Sequence, residues 1–111
     1  MQYFKTRFLD QADQFITRLD AKAIRKLFYT IDLAEQTNDP RLFKKIRDDI
    51  WEFRVRHGNN QIRLLAFWDK EDDQKTLVFA THGFIKKVNK VPDNEIERAR
   101  NIRKKYFESK K

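Results

Sequence analysis

Six side chains of this sequence have types and spacing that suit chemistry on a polyanion. They are Arg54 and Arg56 two residues apart, Arg63 after a short polar break, His82, and the adjacent pair Lys86-Lys87. Arg offers a rigid fork that matches phosphate oxygens, and Lys offers a point charge whose proton affinity falls when other cations crowd it. Such a group suits cleavage of RNA. The ribose 2′-hydroxyl is an internal nucleophile, so a protein need supply only a base, an acid for the leaving oxygen, and cations facing the phosphorane-like transition state. Neither a metal nor a covalent nucleophile is required. Each residue also has an ordinary structural use: Arg54 in an ion pair with a helix acid, His82 as a satisfied core or edge residue, Lys86-Lys87 as a solvated turn.

Other chemistries find little support. The chain has no cysteine, which removes disulfides, thiolate metal sites and a Cys nucleophile together. The only serine is Ser109, close to the end of the sequence, so a Ser-His-Asp site is not expected. His57 and His82 are 25 residues apart, without the His/Asp/Glu spacing of a metal site, and no Gly-rich phosphate loop exists. The acidic clusters Asp48-Asp49 and Asp69 to Asp73 read as solvated turns rather than two-metal or glycosidase centres. No metal and no cofactor is therefore expected.

The elements that must position the basic group follow from periodicity. Tyr3 to Phe8 alternates as a short strand, and from Leu9 the period changes, with Leu9, Ala12, Phe15, Ile16 and Leu19 on one helical stripe. Asp20 reads as the N-cap of a second helix with the stripe Ile24, Leu27, Phe28, Ile31 and Ala34, stopped at Asn38-Asp39-Pro40. Arg41 to Asp49 fits helix or irregular chain equally. Three strands follow, Ile50 to Arg56, Gln61 to Trp68 and Lys75 to Phe84, joined by short polar connections that suit a meander. Alternation puts Trp51, Phe53 and Val55 opposite Glu52, Arg54 and Arg56, and Ile62, Leu64, Ala66 and Trp68 opposite Arg63, Leu65 and Phe67, so the arginines share one sheet face. Pro92 in a first turn, with Asp93, Glu95 and Glu97 at the positive helix end, opens a last helix with the stripe Ile96, Ala99, Ile102 and Tyr106.

The resulting expectation is one α+β domain over residues 1–111, in the order βααβββα. Ten Phe, two Trp and three Tyr provide a core for its 111 residues despite 38% charged residues. The net charge is +8, of which +6 falls between Phe84 and Lys111, where ten Lys and Arg face four acids. Attraction to a polyanion that weakens with salt is the consequence. No apolar run reaches the length of a membrane span, and the first residues lack the apolar run of a signal peptide, so a cytoplasmic location with no membrane partner is expected.

Trp51-Glu52-Phe53-Arg54, Arg63-Leu64-Leu65-Ala66-Phe67-Trp68, the Phe79 to Lys87 segment, and Pro92 followed by Glu95-Ile96-Glu97-Arg98-Ala99 stand in a particular order and spacing. In these motifs the sequence resembles the phage-derived branch of the RelE/ParE toxin superfamily, close to HigB-type toxins, over roughly Ile50 to Tyr106. The resemblance implies a small RelE-like fold: a twisted antiparallel sheet with an N-terminal helical hairpin and a C-terminal helix. It also implies the toxin of a type II toxin-antitoxin system, a ribosome-dependent mRNA endoribonuclease that inhibits translation. Its partners would be the ribosome, mRNA and a cognate antitoxin that covers the basic face or displaces the last helix, in a dimeric assembly. By the family's pattern Arg54 and Arg63 would hold the scissile phosphate and Lys86 or Lys87 would position RNA or stabilise developing charge, while residue type alone makes His82 the best-placed acid or base. Arg56, Lys87, Arg98, Arg103 and Lys104 would contact RNA. Tyr106 corresponds in place to a catalytic Tyr of some relatives, but its position on the apolar stripe argues for core. A ParE-like gyrase inhibitor shares the scaffold, and a catalytically inactive module that binds nucleic acid or antitoxin is the remaining alternative.

Overall fold

The computed structural model describes residues 2–71, 77–87 and 89–110. β1 spans Lys5–Phe8, and the period change at Leu9 opens α1 at Asp10–Thr17. Asp20 then caps α2 (Ala21–Thr37), its Oδ1 accepting the Ala23 N–H at 2.8 Å. Asn38 ends that helix in the left-handed region at φ 52°, with its N–H on the Ala34 carbonyl. β2 (Phe43–Arg47) and β3 (Ile50–His57) meet at Asp48-Asp49, both at positive φ as a tight hairpin turn demands. β4 (Asn60–Asp69), β5 (Leu77–Lys86) and α3 (Asp93–Ser109) complete the chain. Pro92 is the residue just before α3 rather than the first of its turn.

The sheet runs β1-β5-β4-β3-β2, with β2 to β5 an antiparallel meander. Two expectations change here. β1 pairs parallel to β5, so the sheet is not wholly antiparallel. No hairpin ties β1 to its neighbour; α1 and α2 carry the chain from β1 across one face to the far edge, which leaves β1 free to align with β5. The undecided 41–49 stretch contains β2, so the order becomes βααββββα. Its pattern was masked because this is an edge strand: Phe43 is buried while Lys44, Lys45 and Arg47 are exposed, as charged edges commonly are. The expected start of β5 at Lys75 lies outside the described residues.

Alternation then builds two cores, one on each face. Against α1 and α2 lie Phe4, Phe43, Phe53, Val55, Ile62, Leu64 and Ala66, with the Phe43 ring stacked on Phe53 at 4.3 Å and on Trp51 at 5.0 Å. Each fully buried Phe contributes about 2 kcal/mol. Against α3 lie Ile50, Leu65 and Phe67, meeting Ile96 and Ala99. Tyr106 packs on Phe79 at 4.5 Å and donates its hydroxyl to the buried Asp69 at 2.6 Å, so it belongs to this core. The apolar contacts of α3 involve only part of its face of the sheet. The rest of that face carries Glu52, Arg54, Arg56 and Arg63.

Candidate nucleic-acid site

Register brings the arginines together. Arg54 and Arg63 are directly paired across β3 and β4, and Gln61 sits between Arg56 on one side and Lys86 on the other. On the outer strand, Lys44 is paired with Glu52. Period-two geometry points all of these side chains to one face. Like charges directly opposite one another repel, so the pair of arginines requires a counter-charge, and Glu52 supplies it. Its carboxylate is buried, 2.8 Å from Arg63 Nε and 3.9 Å from Arg54 Nε. The Arg63 Nε–H does not point along the short separation, so the contact acts as an ion pair rather than a directed hydrogen bond. Arg63 is itself only 4% exposed, and its remaining nitrogens donate to the Ile62 carbonyl at 3.2 Å and to Gln61 Oε1 at 3.0 Å. Its geometry is therefore set before any ligand arrives.

Burial pushes Arg63 down from its usual value; Glu52 works against that shift and Arg54 adds to it. Lys86 is also lowered, first by burial, then by the charges of Arg63, Arg54 and Lys44, with Glu52 opposing. A lysine so placed gives up its proton more readily than a free one. Arg54, Arg56, Gln61 and Arg63 line a cleft of about 520 Å³ together with Lys26, Thr30, Arg41, Leu42 and Val55.

Other expected site residues go elsewhere. His82 is fully buried, the placement of the satisfied core residue that was its structural alternative to an acid or base. A register shift in β5 opposite Leu65 and Ala66 turns it beneath α3. Its Nε2 lies 3.0 Å from Glu95 Oε1, and its Nδ1 lies 3.1 Å from the Thr81 hydroxyl, which itself donates to the Leu65 carbonyl at 3.2 Å. Burial lowers its pKa, assisted by Arg98 and opposed by Glu95. It anchors α3. Lys87 is exposed just past the end of β5. Arg98 donates through Nε at 2.9 Å and through Nη2 to Gln11, beside a separate groove of about 610 Å³ between α1 and α3. Arg103 lies 4.0 Å from Asp49 and over the Phe107 ring, and Lys104 lines the same flank of α3. The α3 cations thus form other surfaces. Sequence reasoning missed Glu52 and Lys44. The first sits in the quoted Trp51-Glu52-Phe53-Arg54 run, two residues from Arg54 on the same face, and that spacing was its only signal.

Two helices cover one face of the sheet and one helix the other, which is a RelE-like fold, and in this chain Arg54 and Arg63 are paired across β3 and β4. The fold aligns with a double mutant of the Escherichia coli RelE toxin in the free state, TM-score 0.62 at 18% identity, over 91% of this chain and 97% of that one. It aligns with the toxin-antitoxin complex RelBE2 of Mycobacterium tuberculosis, TM-score 0.56 at 19% identity, over 78% and 100%. The E. coli RelBE complex gives 0.56 at 17% identity over 78% and 99%. No curated protein sequence matches the chain. Residues 14–104 match the phage-derived Gp49-like (DUF891) family, and the chain belongs to that family.

Proposed function

We propose that the protein is the toxin of a type II toxin-antitoxin system and that it cleaves translated mRNA on the ribosome. The observation that carries this reading is the Arg54–Arg63–Lys86 group assembled around buried Glu52 on a RelE-like sheet. Arg54 and Arg63 hold the non-bridging oxygens of the scissile phosphate. The 2′-hydroxyl gives its proton to water as its oxygen attacks phosphorus, a 2′,3′-cyclic phosphate forms, and the P–O5′ bond breaks as the 5′-oxygen takes a proton from Lys86, which water restores. Both arginines gain strength as charge builds on the five-coordinate phosphorus, which is where preorganised cations lower a barrier most. Lys86, with its lowered proton affinity, faces the same phosphate and stabilises or transfers charge there. Glu52 is a positioning residue that fixes Arg63. Arg56 and Lys87 extend the contact to neighbouring phosphates. The cognate antitoxin neutralises the protein by covering these cations, in a complex that weakens as salt rises. The cytoplasm is the compartment that holds this substrate.

The test is controlled induction in bacterial cells with mapping of mRNA 5′ ends, alongside the Arg54→Ala/Lys86→Ala variant. New ends inside translated frames, absent in the variant, are expected. Intact mRNA with growth arrest and DNA damage would replace this reading with gyrase inhibition, and no phenotype would replace it with an inactive binding module.

A further inference from the structure

The cleft that holds Arg54 and Arg63 does not end at the sheet. β2 pairs with β3 only as far as Phe53, and the last backbone bond on that side runs from the Arg54 N–H to the Leu42 carbonyl at 2.8 Å. β3 continues to His57, so on this side its final residues present an edge with no strand partner among the described residues. By the two-residue repeat the Arg56 N–H points to the same side as that of Arg54. Across this edge stand Lys26 and Thr30, one turn apart on α2, and Arg41 from the connection that precedes β2. Five cations line the cleft, Lys26, Arg41, Arg54, Arg56 and Arg63, and among the described residues no carboxylate does. On the α2 side the Lys26 ammonium sits 5.8 Å from the Tyr29 ring, which is 62% exposed and the most exposed large hydrophobic side chain of the described residues.

We propose that this open edge of β3 is a track for single-stranded RNA, in which Lys26, Arg41 and Arg56 take the phosphates flanking the one held by Arg54 and Arg63. Tyr29 lies outside the cleft lining, beside Lys26 and at the rim of a neighbouring groove with Phe28, Asp32 and Glu35, and offers a stacking face to an unpaired base that leaves the track. The proposal rests on the cleavage reading and extends its substrate contacts beyond the reacting group. Cations spaced around an edge with an exposed aromatic beside them fit a backbone of repeated phosphates carrying flat bases. An acidic peptide strand would also meet the cations, but it gives no reason for Tyr29 to lie open beside Lys26. Arg41 is held in reserve: Asp39 binds its Nε at 3.1 Å and its Nη2 at 2.7 Å, with the Arg41 side chain exposed and that of Asp39 largely covered.

The experiment measures binding of the full-length protein to a short single-stranded 2′-O-methyl RNA, which cannot be cut, by fluorescence anisotropy over a range of salt. Each single-strand phosphate contact contributes about 0.7 to the slope of log affinity against log salt. Lys26→Ala/Arg41→Ala is expected to lower the slope by about 1.4 while unfolding as wild type, because both side chains are exposed. Lys26→Arg/Arg41→Lys is expected to keep the slope. Tyr29→Ala is expected to weaken binding with no change of slope, and Asp39→Asn to tighten it by releasing Arg41. An unchanged slope in Lys26→Ala/Arg41→Ala overturns the track. So does an affinity for RNA that stays intact while affinity for a poly-glutamate peptide falls, which would make the edge a protein-docking surface. Failure of the wild type to cut mRNA in cells overturns the cleavage reading on its own, and the salt slope is read without reference to cutting.

Discussion

Replacing Glu52 by Gln separates the stability of the basic group from its chemistry. Glu52 and Arg63 are both buried, with 2.8 Å between Oε1 and Nε, and Arg54 stands 3.9 Å from the same oxygen. Removing the carboxylate charge leaves Arg63 buried beside two further cations, Arg54 and Lys86, with only neutral acceptors. Breaking a buried pair on one side costs about 3–5 kcal/mol. Gln keeps the shape and an acceptor, so the lower end, about 3 kcal/mol, is expected. For a domain of this size each kcal/mol moves the melting midpoint by about 4 °C, giving a fall of about 12 °C in thermal unfolding followed by circular dichroism. The pair variant Glu52→Gln/Arg63→Met should recover most of that loss, since it removes both buried charges. Function should split in the other direction. Glu52→Gln raises the net charge of the cleft and tightens RNA binding, yet slows cleavage because Arg63 is no longer held. It also lowers Lys86 further, because Glu52 is the group that raises it. A midpoint within about 2 °C of wild type, less than ~0.5 kcal/mol, would refute the buried-pair reasoning.

Further outcomes follow from other contacts. A Cβ on Gly83 would overlap the Phe15 ring, so Gly83→Ala should destabilise by about 1–3 kcal/mol in urea unfolding, unless Phe15 is shortened to Leu in the same chain. His82 has a folded pKa below its ordinary 6.5, so the unfolded chain binds the extra proton first. Its contribution is complete above about pH 6.5 and is lost as pH falls toward the folded value, and His82→Gln should flatten that part of a plot of melting midpoint against pH. Tyr106→Phe removes a 2.6 Å hydrogen bond to buried Asp69 and should cost about 1–2 kcal/mol in the same unfolding assay. Burial alone would raise the Asp69 carboxyl, but hydrogen bonds from Lys110 and Tyr106 outweigh it and hold it below 3.8. The stability it provides is therefore present above that value and is lost only in stronger acid, a loss that acid titration of Tyr106→Phe should show at higher pH than wild type.

Residues that alternate or recur locally were readable from the chain. Both halves of the helical hairpin, the Asp20 cap, the meander of β3, β4 and β5, the last helix and the shared face of Arg54, Arg56 and Arg63 each depend on contacts a few residues apart or on a two-residue repeat. β2 was not readable, because an edge strand buries one face in part and its cations interrupt the pattern. The parallel pairing of β1 was not readable either, since it depends on where the helical hairpin sets the chain down. The site divides the same way. Residue type and strand period brought three arginines to one face, but the role of Glu52 needed to be seen across two strands, because a carboxylate becomes a counter-ion only through its neighbours and its burial. His82 shows the converse: its type suited acid-base work, and a one-residue register shift in β5 put it under α3. The α3 cations lay in the most basic quarter of the sequence, yet helix docking turned Arg98 toward Gln11 and Arg103 toward Asp49. Local periodicity set the elements and the side each residue faces, while register, burial and helix docking, which join residues far apart in the chain, decided which charges meet and which stay apart.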